Sequence, residues 1–185
     1  MTNRRIRLFA CICVFAQLLC SCKATDSDTL TELNYIKSAY SASLTAVSVY
    51  TSQAEIGDEG HVDQGLIAAL LGKGGVFPPE MSAVEEYSFF CASSIEVCEV
   101  WIAKCRTYSA ARALVRLFEK RKAYLSKIDF DSESDAKAAG SAQIIRRGKK
   151  VYFIAASCGD AIASYISKKS SALPNLNAKK RAWQR

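Results

Sequence analysis

Cysteines are the residues of this sequence with the greatest capacity for chemistry. The chain has eight of them, and Cys91, Cys98, Cys105 and Cys158 lie outside its first 22 residues. No two of these four are separated by two residues, the spacing of thioredoxin-like dithiols and of many zinc sites. The sequence therefore predicts neither of those two chemistries.

One pair of cysteines could still form a disulfide. A hairpin turning at Ser94-Ile95 would place Cys91 directly opposite Cys98. Opposed residues at a non-hydrogen-bonded site have Cα atoms about 4.5 Å apart, within disulfide reach. The alternative is two reduced thiols that pack as small apolar side chains. Export to an oxidising compartment would favour the disulfide, whereas an anaerobic organism would favour the thiols, so both remain open. The redox states of Cys105 and Cys158 are also open.

The histidine and the carboxylates are the remaining candidates for catalysis. His61 is the single histidine, and its glycine- and acid-rich loop indicates a solvated side chain rather than a catalytic base. A carboxylate-dependent hydrolase would draw on Glu85 and Glu86 or on the acidic segment 129–135, but no pattern positions these carboxylates for acid–base work. The sequence therefore predicts no catalytic residue, no cofactor and no metal ligand.

Two aromatic residues are candidates for a partner surface. The alternation of the strands predicts that Phe90 shares a face with Glu86, and that Trp101 shares a face with Glu99. Such a face would form an exposed apolar patch for a partner. The alternative is that a helix covers it.

The first residues have the pattern of an export signal. Arg4, Arg5 and Arg7 precede an uncharged, largely apolar stretch over residues 8–20. A basic segment followed by an apolar one is typical of a secretory signal peptide. The stretch is too short to cross about 30 Å of hydrocarbon as a helix.

This stretch ends in Leu19-Cys20-Ser21-Cys22, which resembles the bacterial lipobox. In that signal the last cysteine receives a diacylglycerol, and cleavage leaves it as the first residue. The resemblance implies that Cys22 is lipidated and that membrane lipid holds the chain; Cys20 departs mildly from the usual residue. Plain secretion after cleavage is the alternative.

Composition divides the chain into four parts: a signal peptide over 1–21, a lipidated tether over 22–28, a single domain over 29–167 and a basic tail over 168–185. The net charge of +7 comes from the two ends, so a nucleic-acid-binding domain is not predicted. The tail either contacts anionic lipid headgroups or is solvated and disordered.

Hydrophobic periodicity predicts an α+β domain. After two N-terminal helices the order is β-β-α-β-β-α, which predicts a four-stranded antiparallel sheet with helices packed on one face. The acidic segment 129–140 reads as a mobile loop, and residues 47–50 as a frayed or extended end of the first helix. The other expected elements are a helix over 63–71, a hairpin of strands 84–92 and 97–105, a helix capped by Thr107, a hairpin of strands 142–145 and 151–156 turning at Gly148, and a helix over 160–167.

The lipobox, the strand Val84-Glu85-Glu86-Tyr87-Ser88-Phe89-Phe90 and the hairpin around Arg147-Gly148-Lys149 together resemble a family of small bacterial lipoproteins. The family is common in anaerobic Gram-positive bacteria and is defined only as a domain of unknown function. The resemblance covers most of the mature chain and implies a place in the cell envelope, at the outer face of the cytoplasmic membrane. It implies no activity; the extra cysteines and the long basic tail depart from the family pattern.

These features favour a non-enzymatic module that binds an envelope protein, a wall component or a solute. Two alternatives stay open. One is a disulfide-bearing or redox-linked envelope factor that uses Cys91 and Cys98. The other is the carboxylate-dependent hydrolase.

Overall fold

The computed structural model describes residues 28–44, 47–92 and 96–171. Within these ranges the protein is α+β, as predicted. Its α-helices are α1 (Thr29–Ala39), α2 (Gln64–Leu71), α3 (Tyr108–Leu125), α4 (Glu133–Gly140) and α5 (Gly159–Ser171). Its strands are β1 (Val47–Thr51), β2 (Val84–Ala92), β3 (Glu99–Cys105), β4 (Gln143–Arg147) and β5 (Lys150–Ala155), and a 3₁₀-helix (Pro79–Ala83) leads into β2.

The strands form one antiparallel sheet in the order β1-β2-β3-β5-β4. The expected four strands were therefore one too few. The additional strand is β1, whose residues 47–50 were expected as a frayed or extended end of the first helix and are extended. That helix ends earlier, with Tyr40 as its C-cap, and Val47 and Val49 favour an extended backbone because they are β-branched.

Helices cover both faces of the sheet, so the expectation of one helical face was wrong. Leu33 and Ile36 of α1 and Ile162 of α5 pack on one face, which we call the α5 side. Leu114 and Phe118 of α3 pack on the opposite face, the α3 side, together with residues of α2 and α4. Strand β5 has all its residues buried, since a strand between two helical layers is apolar on both of its faces.

The predicted mobile loop contains a helix. Ser132 accepts a hydrogen bond from the Asp135 backbone amide and caps α4. Ala138 and Ala139 of this helix are buried against α3 and the sheet. Two small buried residues give a weak periodic pattern, which is why the acidic composition dominated the prediction.

Several local predictions are confirmed. Thr107 caps α3 through its side chain as predicted, and Asp63, expected only as the first residue of a helix, caps α2 in the same way, as residues of these types do at helix N-termini. Gly148 turns the β4–β5 hairpin with a φ of +59°, a conformation that favours glycine. The last helix, α5, continues to Ser171, beyond its expected end at 167.

None of the helices in the described ranges combines the length and the apolarity that crossing a bilayer requires.

Candidate functional site

A polar cleft of about 240 Å³ lies where four segments meet at one end of the sheet. The segments are the stretch after α1, the residues leading into β3, the start of α4 and the turn after β5. We call it the serine cleft, and its lining residues are Ser43, Glu96, Val97, Cys98, Ser132, Ser134, Asp135 and Ser157. Four serines and two acidic residues therefore line a space large enough for a small polar group.

The two carboxylates of the serine cleft differ in hydrogen bonding and exposure. Asp135 Oδ1 accepts a hydrogen bond of 2.8 Å from the backbone amide of Val97, which ties the start of α4 to the approach of β3. Glu96 is exposed. Asp135 thus shapes the wall of the cleft, while Glu96 can meet a ligand.

The thiol of Cys98 is the strongest potential nucleophile of the cleft, and its surroundings suppress that chemistry. Burial raises the pKa of Cys98 to about 12, and electrostatic interactions with Cys158, Glu96, Cys91 and Asp135 act in the same direction. Because the thiolate is the reactive form of cysteine, a thiol that stays protonated near neutral pH is a poor nucleophile.

The predicted pairing of Cys91 with Cys98 does not match the structure. Cys91 lies opposite Glu99, so the register differs by one residue from the expected one. A shift of one residue moves a side chain to the other face of a sheet. Cys91 packs on the α3 side and Cys98 on the α5 side, and both are free thiols.

Phe90 and Trp101 do not form an exposed patch, so that prediction was wrong. Both are fully buried, Phe90 on the α5 side and Trp101 on the α3 side. The Trp101 ring stacks on Phe89 with centroids 3.8 Å apart. The alternative interpretation of the sequence, that a helix covers these rings, is the correct one.

Glu99, which Trp101 was expected to accompany at the surface, forms a buried ion pair instead. Its Oε2 accepts hydrogen bonds from Arg121 Nη2 at 2.7 Å and Nε at 3.1 Å, and its Oε1 accepts one from Trp101 Nε1 at 2.6 Å. This cluster was not predicted, because Arg121 resembles the other basic residues of α3.

A second buried ion pair joins α1 to β5. Lys150 Nζ lies 3.0 Å from Glu32 Oε2, and the Tyr152 hydroxyl donates to Glu32 Oε1 at 3.2 Å. These side chains are almost completely shielded from water. They hold helix and strand together across the α5 side.

A third polar cluster fixes the beginning of α1. Glu86 accepts hydrogen bonds from the backbone amide and the hydroxyl of Thr29. The Thr29 hydroxyl also lies 2.9 Å from Ser88 Oγ, which contacts Thr51 Oγ1 at the same distance. This cluster anchors the start of α1 to β2 and β1.

The carboxylates and the histidine that the sequence offered for catalysis lie apart from the serine cleft, with the exception of Asp135. Glu85 pairs with Lys104 at 3.4 Å on the surface, and Glu86 is engaged by Thr29. His61 lies 3.1 Å through Nδ1 from the carbonyl oxygen of Ala54. In the described ranges, no group of three or more His, Cys, Asp or Glu residues is placed to hold a metal ion.

Comparison with known proteins gave no relative: no family model, no curated protein and no solved structure matches this chain. The resemblance to small bacterial lipoproteins therefore stays a prediction. Cys22, the signal peptide 1–21 and the tail residues 172–185 lie outside the described residues. The serine cleft is accordingly interpreted from its own chemistry.

Proposed function

We propose that this protein is an exported lipoprotein, held at the outer face of the cytoplasmic membrane through Cys22, whose domain binds a small polar ligand and catalyses no reaction. The observation that carries the second part is the polar lining of the serine cleft, in which four serines, Glu96 and Asp135 border a space of about 240 Å³. Burial, which raises the pKa of the Cys98 thiol to about 12, adds support. A cleft whose best nucleophile is kept neutral is suited to binding rather than to covalent chemistry.

The lining of the serine cleft indicates which ligands fit. Hydroxyl groups donate and accept hydrogen bonds, whereas carboxylates only accept them. The lining residues include no lysine, arginine or histidine, so an anionic group would meet two carboxylates without a compensating cation. An amine or a neutral polyol is the better match, and the volume of about 240 Å³ limits the ligand to a small group.

The anchor is supported by the position of Cys22 in the sequence relative to the start of α1. Asp28 caps α1, and Thr29 is hydrogen-bonded to Glu86. Both apolar clusters are built from residues between Leu33 and Ile166. A lipid on Cys22 would thus be attached a few residues before the domain, and two or more acyl chains give stable membrane attachment.

Metabolic labelling with a fatty acid tests the anchor. The full chain is expressed in a bacterial host with an alkyne-bearing palmitate analogue, beside Cys22→Ala and the neighbouring Cys20→Ala. Label is expected in the wild type and in Cys20→Ala and should be lost in Cys22→Ala. Equal label in all three, or an unlabelled chain that retains Met1, would reject the anchor.

Titration of the full chain in detergent micelles with ethanolamine tests the cleft. Amide resonances of Ser132, Ser134 and Ser157 are expected to shift in a saturable manner, and acetate should leave them unchanged. Ser134→Ala and Ser157→Ala should weaken the response, whereas Ser164→Ala, at an exposed position of α5, should not. Shifts of the same size with acetate, or none with either probe, would contradict the proposed ligand class.

A further inference from the structure

Cys98 and Cys158 lie on the same side and at the same end of the sheet. Side chains alternate along a strand, so Cys98 shares its face with Val100 and Ile102, both on the α5 side. Cys158 follows β5, the neighbour of β3. Both cysteines are half-buried and pack against the same apolar cluster.

The turn after β5 carries Cys158 towards Cys98. Glu99 pairs with Ala155, so continuing the antiparallel register by one residue places Cys98 opposite Ala156. The chain turns at that point, since the Gly159 amide donates to the Ala156 carbonyl at 2.9 Å. Helix α5 then packs on the α5 side, so the turn bends towards the face on which Cys98 lies.

The serine cleft gives a second indication that the two cysteines are close. Cys98 and Ser157, the residue before Cys158, line the same space. The pKa of Cys98 is consistent with this proximity. After burial, the electrostatic interaction with Cys158 contributes most to raising it.

We propose that Cys98 and Cys158 form a disulfide when the protein meets an oxidising disulfide, and that Cys91 and Cys105 remain thiols. In the reaction the small deprotonated fraction of one cysteine attacks the oxidant as a thiolate and releases one thiol, so the oxidation is slow near neutral pH. The other cysteine then displaces the second thiol as the Cys98–Cys158 bond forms. Two protein thiols are oxidised, and one disulfide is reduced to two thiols.

The other two cysteines are placed where they cannot compete. Cys91 lies on the α3 side, across the sheet from Cys98. Cys105 is fully buried at the far end of β3 on that same side. A disulfide needs Cα atoms within about 7 Å and Cβ atoms that face each other, and the sheet separates both residues from the proposed pair.

Peptide mapping after oxidation tests the pairing. The purified full chain in detergent is incubated with oxidised glutathione, unfolded in guanidinium chloride with N-ethylmaleimide present so that buried thiols are alkylated, and digested after dilution with trypsin and a glutamate-specific protease. Cleavage at Glu96 and Glu99 releases Val97-Cys98-Glu99 separately from Cys91. We expect this tripeptide to be joined to the peptide that contains Cys158, with Cys91 and Cys105 alkylated.

Three variants provide the controls. Cys98→Ser and Cys158→Ser should each abolish the joined peptide, and Cys91→Ser should retain it at wild-type yield. A bond between Cys91 and Cys98 would overturn the proposal. So would N-ethylmaleimide or glutathione on both Cys98 and Cys158 after prolonged oxidation. The assay uses purified protein, so its result is independent of whether Cys22 carries lipid.

Discussion

Arg121 of α3 reaches across the α3 side to Glu99 of β3, with Nη2 2.7 Å from Oε2. Only 11 % and 6 % of the two side chains are exposed. Removing one member of such a pair leaves a buried charge without compensation, which costs about 3–5 kcal/mol. The pair is therefore a sensitive point of the fold, although it was hidden in the sequence.

Arg121→Met should destabilise the protein by about 3 kcal/mol. Urea unfolding monitored by near-ultraviolet circular dichroism would measure the change, since the Trp101 indole donates to the same carboxylate. The double variant Arg121→Met/Glu99→Gln should recover part of the loss, because the unpaired charge is gone. A single variant as stable as the wild type would contradict the structural role of the pair.

Lys150 and Lys149 are neighbours in sequence and should respond differently to substitution. Lys150 is buried against Glu32, so Lys150→Met should cost about 3 kcal/mol. Lys149 is exposed, near the Tyr108 ring, and Lys149→Met should change stability by about 0.5 kcal/mol or less. Equal losses of unfolding free energy in the two variants would argue against the buried pair.

Glu86 and Glu85 form a similar comparison at the start of β2. Glu86→Ala removes the acceptor of Thr29, so amide hydrogen exchange in α1 should accelerate and stability should fall by about 1–3 kcal/mol. Glu85→Ala removes only a surface pair with Lys104, worth about 0–1 kcal/mol. If exchange in α1 rises equally in both variants, Thr29 is not held as described.

Alkaline pH should destabilise the reduced protein. Burial raises the pKa of Cys98 to about 12 and that of Cys105 to about 11, from an ordinary value of 9.0. The unfolded chain therefore loses these protons first, so the stabilisation is complete below about pH 9 and is lost as the pH rises towards the folded values. With a reductant present, the urea midpoint should be lower at about pH 10 than at about pH 8. The decrease should be smaller in Cys98→Ser. An unchanged midpoint would contradict the raised pKa values.

The sequence identified most elements but not how they are layered. Caps such as Thr107 and the turn at Gly148 are local signals, and the structure confirms them. The covering of both faces depends on which helix packs where, although the uninterrupted apolar run of β5 pointed to it. The register of β2 and β3 differs by one residue from the expected one. This difference places Cys91 and Cys98 on opposite faces of the sheet.

The polar clusters were beyond sequence reasoning for a different reason. Glu32 and Lys150 are 118 positions apart. Within its own segment, each looks like an ordinary charged surface residue. The serine cleft is likewise assembled from four separate segments. Serines at such positions are typical of loops. Only the fold therefore reveals that these residues line one space.

The attachment of Thr29 to Glu86 also sets a height. If Cys22 carries the lipid, seven residue steps separate it from Thr29, and a fully extended backbone covers about 25 Å over that length. Thr29 would then lie within about 25 Å of the headgroups, so the start of α1 would stay near the bilayer surface whichever way the domain turns.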